Sequence, residues 1–229
     1  MQNKRKITLG LDSSAQTLMV CLNDGEKTYS FHHTGIKQEQ FLLPLVTRAL
    51  NKINAKLSDI SKVFFVRGPG RFTGIRISLT FASMLKELNA AEVGSATLFD
   101  IIHRQAEESR AFLSWKKNHE NGILAVVLHA FRDEYFLQFF DTTQQGPVWL
   151  SKEELLQKLS ARTEPLYCAG LDKDASPLSE LLGNKYRLAP MADCRVRPQT
   201  LMEMAQNPFY DKNALEPLYL KPARFELGR

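Results

Sequence analysis

Arg67-Gly68-Pro69-Gly70-Arg71-Phe72-Thr73-Gly74-Ile75-Arg76-Ile77-Ser78 constrains the chain more than any other stretch. Ahead of it runs Val63-Phe64-Phe65-Val66, short, apolar and rich in β-branched and aromatic residues, which reads as a buried strand. Gly-Pro-Gly cannot continue that strand. Residues 73–88 lack proline and carry apolar side chains at helical spacing, with Thr73 placed to accept from free N–H groups as an N-cap. The unit is strand, tight turn, helix, a building block of α/β folds.

Free N–H groups at such a turn invite an anion. Asp12, Ser13, Gly68, Gly70 and Thr73 are therefore a candidate phosphate loop. The standard patterns do not fit. A P-loop would need Gly-Lys-Ser/Thr and no lysine is present, while Thr73 stands where the dinucleotide fingerprint needs glycine. The other reading of the glycines is a sharp turn and a close neighbour. Gly74, Ser78 and Ala82 recur at i, i+4 and i+8, flanked by Ile75, Leu79 and Phe81, so a stripe of small residues lets another element approach closely. That element is either part of the same domain or a helix of a second protein.

The chain has 229 residues, 44% of them hydrophobic, enough for one large domain or two lobes. No apolar run reaches 18 residues, and the basic start, Met1-Gln2-Asn3-Lys4-Arg5-Lys6, is followed by a run broken at Asp12, so neither a membrane span nor a signal peptide is expected. Cys21, Cys168 and Cys194 are widely spaced and odd in number, which suits a reducing cytoplasm and no metal pattern. A net charge of +5 permits attraction to RNA or to acidic proteins, but the cations are scattered.

In chain order, strands are expected at 7–11, 18–22 and 27–31, the last two joined by the hairpin signal Asn23-Asp24-Gly25. A helix follows at 38–53, with Pro44 in its early turns. The strand at 63–66, the helix at 73–88, a strand at 92–95 and a helix at 98–112 complete a first lobe, residues 1–112. Trp115 to Gly122 reads as a polar linker. A second lobe, 123–229, whose last segment could return to the first lobe, has strands at 123–128, 135–140, 148–150 and 166–170. Its helices are 152–159, capped by Ser151 and Glu154, then 177–182, ended by Gly183, and 199–206. An extended tail is expected at 215–222. A β-β-β-α pattern thus occurs twice, the mark of the actin, sugar-kinase and Hsp70 architecture.

Three segments carry a resemblance: Leu9-Gly10-Leu11-Asp12-Ser13-Ser14, the run from Arg67 to Arg76, and Gly94-Ser95-Ala96-Thr97-Leu98. Together they resemble the TsaB (YeaZ) family, strongly over about the first hundred residues and weakly again at Pro217-Leu218-Tyr219-Leu220-Lys221. The resemblance implies a shortened actin-like fold in the cytoplasm. It implies a non-catalytic subunit that pairs with a TsaD-like transferase, beside a TsaE-like ATPase, to place threonylcarbamoyl on the adenosine next to the tRNA anticodon. No cofactor is implied for this chain alone, with room for ATP or ADP and Mg²⁺ at the interface of the complex, and tRNA is met indirectly. The expected interface is Leu42, Leu45 and Ala49 from the first helix with Gly74, Ser78, Phe81, Ala82 and Leu85 from the second. The same helices could instead form a homodimer.

Departures matter as much. Relatives carry Asp-Ala-Arg where this chain has His129-Ala130-Phe131, so the second carboxylate expected of an ATP-cleaving relative is replaced by an imidazole, a poor Mg²⁺ ligand. Asp133 could in principle reach back to serve as that acid. Gln38-Glu39 replaces a His-Ser or His-Thr pair, and Arg71 replaces serine. None of His32, His33, His103, His119 and His129 forms the His-x3-His metal pair of TsaD. The alternative is a stand-alone ATP-dependent kinase or hydrolase of the same fold. The roles of Arg67, Arg71 and Arg76 are open.

Overall fold

A computed structural model describes residues 6–143, 145–206 and 215–221, apart from the side chain of Asp174. Two compact units emerge: residues 1–98 with 196–218, and residues 99–195 with 219–229.

In the first unit, β1 (Ile7–Asp12), β2 (Thr17–Asn23) and β3 (Thr28–Thr34) form an antiparallel meander. The β2–β3 turn is the Asn-Asp-Gly hairpin foreseen, with Gly25 at φ 97° and the Asn23 and Asp24 side chains accepting backbone N–H groups. Helix α1 (Gln38–Lys52) leads to β4 (Ile60–Val66), then α2 (Phe72–Asn89) and β5 (Glu92–Ala96). β4 pairs parallel to β1 and β5 parallel to β4, giving the order β3-β2-β1-β4-β5. Alternation sorts the strands' two faces. Ile7, Leu9, Leu11, Leu18, Val20, Val63 and Phe65 join Leu42, Val46, Leu50, Ala82 and Leu85 of the two helices in one core. The opposite face is covered by α7 (Pro198–Gln206), whose Leu201 and Met202 lie against Gly10, where a side chain would collide with the Met202 sulfur at 2.7 Å.

The second unit repeats the plan. It opens with α3 (Leu98–Glu107) and α4 (Arg110–Lys117), the latter capped by Ser109 Oγ accepting the Phe112 N–H. β6 (Ile123–Phe131), β7 (Glu134–Phe140) and β8 (Val148–Ser151) form a meander, α5 (Lys152–Ser160) follows, and β9 (Leu166–Leu171) returns parallel to β6. After α6 (Ser179–Leu182), β10 (Arg187–Leu188) adds a last parallel strand, so the order β10-β9-β6-β7-β8 reproduces the first sheet. Ser151 and Glu154 form the foreseen capping box, and Gly183 ends α6 at φ 58°.

Several expectations need correction. The sequence pattern places the end of the first lobe at residue 112, but α3 beyond Leu98 and all of α4 pack in the second unit. One helix expected over 98–112 is two, because Ser109 caps a new start, and α4 runs through Trp115 into the supposed linker. The part of the last segment that belongs to the first unit includes α7 (Pro198–Gln206), which lies on that unit's sheet. Of the extended tail, residues 215–221 lack regular structure and Pro222 lies outside the described residues.

Candidate functional site

The glycine turn and the β1–β2 turn are built into one another. Asp12 ends β1, buried, and its Oδ1 accepts both the Ser14 N–H at 2.9 Å and the Ser14 hydroxyl at 2.6 Å. This folds Ser13 and Ser14 back on the strand. Ser13 Oγ donates to the Gly74 carbonyl at 2.6 Å, and its remaining lone pair meets the Ser78 hydroxyl at 2.6 Å. The Ser14 carbonyl accepts the Arg71 N–H at 2.8 Å. Gln38, buried at the start of α1, donates to the Ala15 carbonyl at 2.9 Å and fixes the turn from its other side.

These contacts explain the glycines. A Cβ on Gly74 would overlap the Ser13 carbonyl oxygen, and one on Gly70 would overlap that of Ser14. Gly68, at φ 116°, faces the Leu218 carbonyl at 2.8 Å and Ile75, while the Leu218 N–H donates to the Arg67 carbonyl at 2.7 Å. Gly68 in turn accepts the Leu98 N–H at 2.7 Å across a Gly68–Pro69 cis peptide. The concave side of the loop is therefore filled by the chain's own backbone.

That geometry overturns the phosphate assignment. Ser13 is wholly buried, Asp12 is engaged by Ser14, and Gly68 and Gly70 pack against Leu218 and Ser14. Thr73 is exposed at the second helical position, and Arg71, not Thr73, precedes the helix, without a side-chain cap. The residues present do not fit a phosphate in this loop. Burial also holds the Asp12 carboxyl above the usual carboxylate range, against the opposing pull of the two Ser14 hydrogen bonds.

The expected partner face is corrected in the same way. Leu42, Leu45, Ala49, Gly74, Ser78, Phe81, Ala82 and Leu85 are all buried inside the first unit. The close neighbour of the small-residue stripe is Ser13 of the same chain. Exposed instead are Leu43 on α1 and Phe72 and Leu88 on α2, at 54%, 53% and 71%. Half-buried Ile77 and Met84 precede Leu88 on one flank of α2, eleven, then four residues away. Arg76 is exposed with its guanidinium 4.3 Å above the Phe72 ring, and Arg67 donates its backbone N–H to Ala96 at 3.0 Å.

In the second unit, His129 ends the regular pairing of β6. Its Nε2 donates to the Arg132 carbonyl at 2.8 Å, and its ring meets Tyr135 edge-on at 5.5 Å. Asp133 is held by Lys173 at 2.6 Å. Tyr135 donates to Asp172 at 2.7 Å, and the Lys173 N–H reaches the same oxygen at 2.8 Å. The turn after β6 is thus closed by its own hydrogen bonds and by Lys173. Two participants escaped sequence reasoning. Gln38 stood out in the sequence only as a departure from the family's His-Ser or His-Thr pair, with nothing to say that it fixes this turn, and Asp172 gave no signal at all.

The twice-repeated order, three antiparallel strands followed by parallel ones, defines a shortened member of the actin, sugar-kinase and Hsp70 class. Within that class the relatives are specific. A family model described as TsaD, tRNA N6-adenosine threonylcarbamoyltransferase, matches residues 35–93, from just ahead of α1 into β5. The chain is 26% identical over 147 residues to the tRNA threonylcarbamoyladenosine biosynthesis protein TsaB of Escherichia coli, covering 63% of this chain and 59% of that protein. It is 24% identical over 231 residues to TsaB of Bacillus subtilis, covering 95% of each. TsaB of Buchnera aphidicola from Schizaphis graminum is 31% identical over 54% of its own length. A solved structure of YeaZ from Pseudomonas aeruginosa superposes with a TM-score of 0.68 at 21% identity, covering 94% of this chain and all of that one. The chain is a relative of the TsaB (YeaZ) proteins.

Proposed function

We propose that this chain is a non-catalytic subunit in the making of threonylcarbamoyladenosine in tRNA, and that it works by pairing with a TsaD-like transferase, with a TsaE-like ATPase acting on the pair. The names of its relatives support the pathway. One observation supports the non-catalytic reading: the Ser13–Ser14 turn is packed into the glycine loop, which leaves that loop no room for a phosphate. A pairing surface is supported by Leu43, Phe72 and Leu88, large apolar side chains left in water on α1 and α2.

Size-exclusion chromatography with light scattering tests it, on the chain alone and mixed with the TsaD-like protein of the same organism. A heterodimer is expected, and Leu43→Asp with Leu88→Asp is expected to abolish it without altering the far-UV circular dichroism. No complex, even with ATP and Mg²⁺ present, would overturn the pairing. Magnesium-dependent ATP turnover by the chain alone would restore the kinase or hydrolase reading.

A further inference from the structure

A groove of about 820 Å³ lies in the second unit where β9 and β10 begin, far along the chain from the glycine loop. Its size falls within the ~300–1,000 Å³ usual for binding pockets. Its walls come from the end of α4, the loop before β9 and the loop between α6 and β10. Aromatic rings line it. Trp115 stacks on His119 at 4.8 Å and 15°, backed at 5.3 Å by Tyr167, which is buried behind the wall and does not line the groove, and half-buried Tyr186 lines it from the loop before β10. Cations rim it. Lys185 and Arg187 are exposed, and the Lys185 ammonium sits 5.3 Å above the Tyr186 ring. Among the described lining residues Glu164 is the one acid, and its carboxylate is 3.9 Å from the Arg162 guanidinium, which offsets its charge.

Aromatic faces flanked by unneutralised cations match one chemistry: a flexible chain that carries a flat ring and a negative charge at every unit. We propose that this groove binds an unpaired segment of RNA, a base lying against His119 and Tyr186 while Lys185 and Arg187 meet the adjoining phosphates. The proposal rests on the tRNA reading above and adds a direct contact to it. β10, only two residues long, is the edge strand of the sheet at this groove.

Fluorescence anisotropy with a labelled RNA stem-loop bearing an unpaired loop tests the groove on the full chain. Lys185→Glu with Arg187→Glu is expected to weaken binding at least ~10-fold at low salt. It should also flatten the fall of log K with log salt by about 1.4, from two phosphates at ~0.7 each on a single strand. Tyr186→Leu keeps the apolar packing and should weaken binding several-fold while leaving that slope in place. The same charge change made in the first unit, Lys52→Glu with Lys56→Glu, should leave the affinity within about twofold.

Wild-type affinity in the Lys185/Arg187 variant would overturn the proposal. An equal loss in the Lys52/Lys56 variant would do the same by reducing the effect to net charge. Polyglutamate competing as well as unlabelled RNA would assign the groove to an acidic protein instead. Pairing with the transferase is read separately by light scattering. If wild-type protein fails to pair yet binds RNA through the groove, the scaffold reading fails alone. If it pairs but the groove variant binds RNA unchanged, the groove fails alone.

Discussion

Gly74 and Ser13 stand 61 residues apart in sequence, yet the Gly74 carbonyl accepts the Ser13 hydroxyl and no side chain fits between their backbones. Gly74→Val should therefore destabilise the first unit by about 1–3 kcal/mol or more, the usual cost of overpacking, seen as a lower denaturation midpoint in urea. It should not act as a clean interface mutation. Asp12 gives a signed pH effect. Burial raises its folded pKa above the unfolded value, so the folded state holds the proton more tightly, and stability is greatest below the ordinary carboxylate pKa. That contribution is lost as pH rises through the raised folded pKa. Asp12→Asn keeps an oxygen to accept from Ser14, so it should flatten the dependence of stability on pH across that window and cost little at neutral pH. Urea titrations at a series of pH values check this; an unchanged slope would mean that Asp12 is not the group responsible. The sequence alone could mark Gly74, Ser78 and Ala82 as a close-packing stripe. It could not say against what, because a turn of the same chain and a helix of another protein select the same small residues.

Elements were legible where their signals are local. Ser151 and Glu154 are three residues apart and mark the start of α5, and the Asn-Asp-Gly hairpin and the Gly183 stop read equally directly. Replacing Ser151 by alanine should cost about 1 kcal/mol, measurable as a shift in thermal or urea midpoint, since the Glu154 N–H loses its acceptor. The break between α3 and α4 was missed because the apolar pattern runs on through it while the Ser109 cap interrupts only the backbone. β10, two residues long, carries no periodicity to detect. Thr73 illustrates the opposite error: a good capping residue lies two positions past the N-cap, Arg71, and the helix starts at Phe72 with no side-chain cap.

At the scale of the whole molecule, the duplicated plan was readable because β-β-β-α recurs, whereas the division between units depends on where α3, α4 and α7 pack. All three cysteines are buried, one in the first unit and two in the second, and burial pushes the Cys21 and Cys168 thiols up to about 12. Native protein at pH 8 should react slowly with a thiol reagent such as Ellman's, and denatured protein should titrate three thiols. Rapid native labelling would contradict the packing. Variants keeping only Cys21 or only Cys168 would then report the opening of each unit by itself.

The position of α7 has a consequence for how the molecule is made. The sheet of the first unit is drawn from the first 96 residues, yet one of its faces is covered by a helix that begins at Pro198, and its glycine loop is tied to Leu218. A ribosome adding about 5–20 residues per second needs on the order of 10 s to synthesise the intervening stretch. During that interval the nascent first unit presents Gly10, Cys21 and Phe64 uncovered, while the second unit already has most of its own parts. The half that is translated first is therefore the half that finishes last, with one apolar face of its sheet exposed until α7 arrives.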